Sequence, residues 1–167
     1  MGLLVGDLME LARGEERRDE PEEMRLDALV EEAVERARRH APAVTFATTL
    51  EPCVVAGAPD RISRAVNNLL DNAVRYGGTQ IVMSIHDRAE GGAEIGVEDN
   101  GPGVADDELP RMFEPFWRGD RADTRNDGGT GLGLAIAREI VERLGGTLVA
   151  SRGPAGAGMR FTVTLPG

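Results

Sequence analysis

Residues 59–76, PDRISRAVNNLLDNAVRY, repeat apolar side chains at Ile62, Val66, Leu69, Leu70 and Ala73, the period of a helix with one buried face. Asp60, just after Pro59, is expected to cap its start, and Gly77–Gly78 to stop it. Beside the apolar face runs a polar stripe of Asn68, Asn72 and Arg75 at i, i+4 and i+7. Asn competes for backbone hydrogen bonds and costs a helix very roughly half a kcal/mol, so Asn67, Asn68 and Asn72 together are locally unfavourable. A solvated face accounts for the stripe, and so does a ligand held by amides and a guanidinium. The segments downstream decide between them.

The 167 residues suffice for one domain with a real core and a short appendage. The net charge of −10 argues against nucleic acid, which needs a basic footprint. Every basic residue except the two histidines is Arg. Without Lys there is neither a P-loop nor the strand Lys of a eukaryotic-type protein kinase. No apolar run approaches the roughly 18 residues that span a bilayer, and no signal peptide opens the chain, so no direct membrane contact is expected of these residues. The single Cys53 excludes an internal disulfide, fits a reducing compartment, and is expected as a small apolar residue in a buried strand.

In chain order, residues 1–14 carry Leu3, Leu4, Leu8 and Leu11 at helical spacing, a pattern that buries against the body of the chain or a partner helix. Residues 15–25, a charge run with one Pro, are expected as a solvated linker. A helix follows over 26–41, with Leu26, Leu29, Val30, Ala33 and Val34 inward, then short strands over 44–50 and 53–57. Strands are expected over 80–89 and 93–99, and a short helix over 106–116 broken near Pro115. Residues 118–130 contain almost nothing apolar and are expected as a long polar loop. A helix over 131–145, stopped at Gly145–Gly146, leads to a closing hairpin of 147–153 and 159–167.

Two glycine clusters stand next to this frame. DNGPGV (99–104) puts a carboxylate at a strand end, followed by glycines that let backbone turn tightly. GGTGLGLA (128–135) runs straight into a helix, whose free N–H groups and positive dipole end suit phosphate. A dinucleotide fingerprint is not met: Gly131-x-Gly133 is followed three residues on by Ile136, and no strand precedes it.

The order NNLLDNAVRY, DNGPGV, FEPFWRG, GGTGLGLAIAREIVERLGG resembles the N, G1, F and G2 boxes of the catalytic, ATP-binding domain of bacterial sensor histidine kinases. That family shares the Bergerat ATP-binding fold with gyrase and the heat-shock chaperone ATPases. The resemblance covers about residues 26–167, and FEPFWRG separates sensor kinases from the other branches. It implies an α/β two-layer sandwich, a mixed and mostly antiparallel sheet packed on three helices, with an ATP lid.

The resemblance also implies roles. Asp99 would read adenine by accepting from its N6 amine, with Gly101 and Gly103 letting backbone approach the base and Tyr76 stacking on it. Asn72 would be the Mg²⁺ ligand, its amide oxygen filling one position of an ion otherwise held by phosphates and water. Asn68 would lie near the γ-phosphate, where gyrase-like branches carry a Glu base. An Asn cannot take a proton, which suits transfer to histidine rather than hydrolysis. Arg75 and Arg118 would neutralise phosphate, with Arg125 a further cation from the lid. Gly129, Thr130, Gly131, Leu132 and Gly133 would form the lid hinge and phosphate turn. Phe113 and Phe116 are expected to anchor the lid by packing.

The histidines do not fit the family's phosphoacceptor sequence, since His40 stands in HAPA and His86 in HDRA. The chain is therefore expected to be a catalytic-domain fragment, with 1–14 the end of the dimerisation hairpin, 15–25 the linker and 26–167 the catalytic domain. Its implied partners are ATP with Mg²⁺, the histidine-containing hairpin of the same kinase and a response regulator. The full-length protein is expected as a homodimeric membrane sensor with this domain in the cytoplasm. The competing expectations are a degenerate nucleotide-binding module, a gyrase-type ATP-hydrolysing clamp and a serine-directed anti-sigma kinase.

Overall fold

The computed structural model describes residues 5–9, 21–117, 131–154 and 156–167. From residue 21 on, the described elements follow in the order β1 (Glu22–Arg25), α1 (Leu26–His40), β2 (Thr45–Leu50), β3 (Val54–Gly57), α2 (Pro59–Tyr76), β4 (Gln80–Asp87), β5 (Ala93–Asp99), α3 (Gly133–Arg143), β6 (Thr147–Arg152) and β7 (Met159–Leu165). Residues 5–9 are helical.

Five strands make one sheet in the order β2-β4-β5-β7-β6. The β2–β4 pair is parallel and the others are antiparallel. Strand alternation sends Ile81, Met83 and Ile85 of β4, Ile95 and Val97 of β5, and Phe161 and Val163 of β7 to one face. There they meet Val30 and Val34 of α1, Leu69, Leu70 and Ala73 of α2, and Ile136 and Ile140 of α3 in one core. This is the two-layer sandwich that the sequence leads one to expect.

Helix α2 has the expected bounds but not the expected cap. Ala58 occupies the cap position, Pro59 the first helical position, and Asp60 sits in the first turn, where its charge faces the positive helix end. Helix α3 closes on Gly145 at φ +83, with Gly145 N–H on the Glu142 carbonyl at 3.0 Å and Gly146 N–H on the Val141 carbonyl at 2.9 Å. That double bond satisfies carbonyls the helix leaves open.

Two expectations give way. The linker expected over 15–25 overlaps β1, whose Glu22–Arg25 pair antiparallel with Gly57–Val54. Its side chains are charged, but strand pairing is made by the backbone, and Met24 packs on the margin of the core. The short helix expected over 106–116 reduces to a single 3₁₀ turn at Leu109–Arg111. Pro110 and Pro115 lack the N–H that a longer helix would use, and the chain continues through turns, with Glu114 N–H on the Arg111 carbonyl at 3.0 Å and Trp117 N–H on the Glu114 carbonyl at 3.2 Å.

Phe113 anchors this turn region as expected. Its ring meets Phe161 edge-on at a centroid distance of 6.4 Å, and the Arg138 guanidinium lies 5.0 Å from its centroid. Phe113→Leu keeps the apolar bulk and loses both ring contacts, so it is expected to cost about 1–2 kcal/mol in denaturant unfolding. Phe116 does not anchor: it is 55% exposed and takes φ +65, a backbone region that disfavours a bulky side chain.

Candidate nucleotide site

The polar stripe of α2 lies where its period puts it, next to the buried face. Asn68 and Asn72 are half-buried, while Arg75 and Tyr76 are exposed at the C-terminal end. The Asn68 amide nitrogen is shielded from solvent and has no hydrogen-bond partner among the described residues. Leaving such a group unpaired costs about 1–3 kcal/mol, so the position is one that a ligand or its water would relieve.

Asp99 ends β5, the middle strand of the sheet, and is held from three sides. Its Oδ1 accepts the N–H of Gly101 at 3.0 Å and of Met159 at 3.2 Å. Oδ2 accepts no hydrogen bond among the described residues, which leaves one oxygen of the carboxylate open. Burial pushes the Asp99 carboxyl above the ordinary aspartate range, and the two N–H groups pull it partly back.

The backbone comes close to this side chain because the neighbours are glycines. A Cβ at Gly77, the residue that stops α2, would lie 2.7 Å from Asp99 Cβ. One at Gly158, which has φ +72, would lie 2.0 Å from the Asp99 carbonyl oxygen. Gly101 is buried against the helix end, and a Cβ there would stand 2.6 Å from the Tyr76 carbonyl oxygen. The glycines of DNGPGV thus let strand end, helix end and hairpin close on one carboxylate. Gly103 contributes on the hairpin side, facing Gly158.

The third part is the start of α3. Gly131 accepts the Phe116 N–H at 2.8 Å through its carbonyl, so the residues flanking 118–130 are bonded to each other. Leu132 is fully buried, and its side chain belongs to the core. At Gly133 a Cβ would meet nothing within 4 Å among the described residues, so no described side chain crowds the first turn of α3 there. Arg118, Arg125, Gly129 and Thr130 lie outside the described residues.

The donor set fits a nucleotide with a hydrated divalent ion. No group of three or more His, Cys, Asp or Glu that could hold a metal occurs among the described residues. An ion here would therefore draw on the Asn72 amide oxygen, with the remaining positions filled by ligand oxygens and water, as suits Mg²⁺. The orphaned Asn68 amide and the open Asp99 oxygen fit a polar ligand in the same way.

Gly77, Asn100, Gly158 and Met159 complete the site and were not expected from the sequence. Asn100 passes for an ordinary turn residue in DNGPGV, and Gly158 and Met159 stand 59 and 60 positions after Asp99. Only strand pairing brings them to it.

This geometry has known counterparts. The family model described as "Histidine kinase-, DNA gyrase B-, and HSP90-like ATPase" matches residues 57–167. SenX3 of Mycolicibacterium smegmatis, a sensor-like histidine kinase, is 36% identical over 169 residues, covering 98% of this chain and 44% of SenX3. The chain thus spans less than half the length of that relative. The mycobacterial sensor histidine kinase MprB matches with a TM-score of 0.80 at 32% identity, over 87% of this chain and 98% of the solved one. Full-length ShkA in complex with AMPPNP matches at 0.83 with 25% identity, over 98% and 35%. With the family model matching residues 57–167 and the SenX3 and MprB matches covering most of the chain, the chain belongs to the histidine kinase-, DNA gyrase B- and HSP90-like ATPases, as an ATP-binding domain of the sensor histidine kinase kind.

Proposed function

We propose that this domain binds Mg-ATP and directs its γ-phosphoryl group to a histidine on a separate helical hairpin domain of the same kinase, from which a response regulator is served. The observation that carries this reading is the state of Asp99. One carboxylate oxygen is fixed by two backbone N–H groups and the other is open, which suits an amine donor such as adenine N6 and repels the O6 of guanine.

Bound Mg-ATP supplies the transferable phosphoryl group. Asn72 offers an amide oxygen to the ion, and Asn68, one turn earlier on α2, offers polar contact without a proton-accepting group. Asn68 itself supplies no base for water, and an acceptor that is already nucleophilic is favoured. Arg75 and, from outside the described residues, Arg118 and Arg125 neutralise phosphate charge on an otherwise acidic chain. Tyr76 offers an exposed ring at the helix end for stacking.

The acceptor lies outside this chain. His40 is bonded by its ring Nδ1 to the Arg36 carbonyl at 2.8 Å, and His86 to the Glu51 carboxylate at 3.2 Å, both in exposed contacts. Residues 1–14 are assigned to the end of the dimerisation hairpin, in a homodimeric sensor anchored in a membrane upstream with this domain on the cytoplasmic side. Among the described residues no helix is long and apolar enough to cross a membrane.

The test is transfer in trans. The chain, γ-labelled ATP and a supplied hairpin domain should yield label on the hairpin that is lost in acid and kept in base. Asn72→Ala should raise the Mg²⁺ concentration for half-maximal transfer about tenfold, the loss of one ligand from an incomplete shell. Steady phosphate release without labelling of the hairpin would instead make this a hydrolysing clamp.

A further inference from the structure

We infer that Asn100 is a positioning residue for adenine recognition, because its side chain fixes the turn between α2 and β4 against the strand end that carries Asp99. The inference rests on the reading of Asp99 as the base-binding carboxylate.

The β4–β5 ladder ends with Ile81 opposite Asp99. Asn100 then continues it with its own side chain. Its Oδ1 accepts the backbone N–H of Thr79 at 3.0 Å and of Gln80 at 2.9 Å, and its Nδ2 donates to Thr79 Oγ1 at 3.3 Å. Its backbone N–H adds a bond to the Gln80 carbonyl at 3.2 Å. Two backbone donors converge on one atom, so the amide has a single satisfied orientation.

Asn100 is exposed, and a turn residue at the surface needs none of these bonds for burial. What they do is local. The segment they hold, Gly77–Gln80, leaves α2 directly after Arg75 and Tyr76 and sets Gly77 against Asp99. At Gly78 the fit is already close, since a Cβ there would lie 2.7 Å from Asn100 Oδ1. The distance between the helix end and the open oxygen of Asp99 is thus set through Asn100. Neither group is touched by the bonds that set it.

The measurement is the ratio of Kd values for inosine triphosphate and ATP, which differ at the base position that Asp99 faces. A loss of folded fraction scales both affinities alike and leaves the ratio unchanged, so it reads position rather than stability. Asn100→Ala should reduce the wild-type ratio about tenfold, the size of one charge-assisted hydrogen bond that no longer lines up. Asn100→Asp keeps an acceptor for both N–H groups and should hold the ratio within about twofold. Gly78→Ala leaves every functional side chain intact, presses on Asn100 Oδ1 at 2.7 Å and on the Gly101 backbone at 3.2 Å from φ +77, and should lower the ratio as Asn100→Ala does. A wild-type protein that discriminates, with the ratio unchanged in Asn100→Ala or Gly78→Ala, overturns the role of Asn100 alone. A wild-type protein that binds both nucleotides equally overturns the reading of Asp99 and this inference with it.

Discussion

Asp99→Asn is expected to weaken ATP binding about a hundredfold while leaving the protein as heat-stable as wild type, or more so. The two effects share one cause. Asn keeps an oxygen to accept from Gly101 and Met159, so the local structure has what it needs. With that oxygen spent on the two N–H groups, the open position carries the amide NH2, a donor that opposes the adenine N6 donor.

Stability moves the other way because burial makes the charged form of Asp99 unfavourable in the folded state. A carboxyl whose folded pKa lies above its unfolded value contributes stability that is fully present below the unfolded pKa. That contribution is lost as pH rises through the folded pKa. Whenever Asp99 is ionised, the wild type bears a half-buried charge that the neutral amide does not. Nucleotide binding has the opposite dependence, since it requires the ionised form. It should fall as the solution is acidified through the raised Asp99 pKa, at a higher pH than for an ordinary aspartate. A fluorescent ATP analogue titrated across pH, with thermal melts of both proteins, checks this. Full binding by Asp99→Asn would remove Asp99 from the site.

Gly158→Ala should damage fold and binding together. The added Cβ would meet the Asp99 carbonyl oxygen at 2.0 Å and Asp99 Oδ1 at 3.0 Å, from a residue at φ +72. The left-handed backbone alone costs a non-glycine residue about 1–2 kcal/mol, and overpacking typically 1–3 more. Because the tightest contact is with the Asp99 main chain, relief requires the start of β7 to move from the end of β5. We expect a loss of about 3 kcal/mol in denaturant unfolding and at least about tenfold in ATP affinity. An unaltered unfolding midpoint would mean that the hairpin turn has room the structure does not show.

The contrast between these residues explains what the sequence could and could not disclose. Helix α2 was legible to its last residue because its signals are local: apolar period, Pro at the start, Gly at the stop. Asp99 was legible as a strand-end carboxylate, and the glycines around it as close-approach positions. Gly158 and Met159 were not, because nothing near them in sequence mentions Asp99; the β5–β7 pairing makes that contact. Strand β1 was missed for the converse reason, since its charged side chains hide a backbone that pairs with β3. At 106–116 the helical pattern was overridden by prolines, and Phe116 was misjudged because a positive φ turns its ring outward to solvent. The residues expected as lid cations and first lid glycines fall in 118–130, outside the described residues.

The bond from Met159 N–H to Asp99 has a temporal consequence. It joins positions 60 apart, and β7 is the last strand of the sheet. On a ribosome, α2 and the β4–β5 hairpin emerge well before it, with Asp99 holding only its neighbour's N–H. The carboxylate gains its second donor when residues 159–165 have been made and have threaded between β5 and β6. Nascent chains stalled short of that strand would present every Asn and Arg of α2 with Asp99 still short of its second donor. The proposed base pocket is therefore completed only when β7 closes the sheet, however long the α2 side chains have been in place.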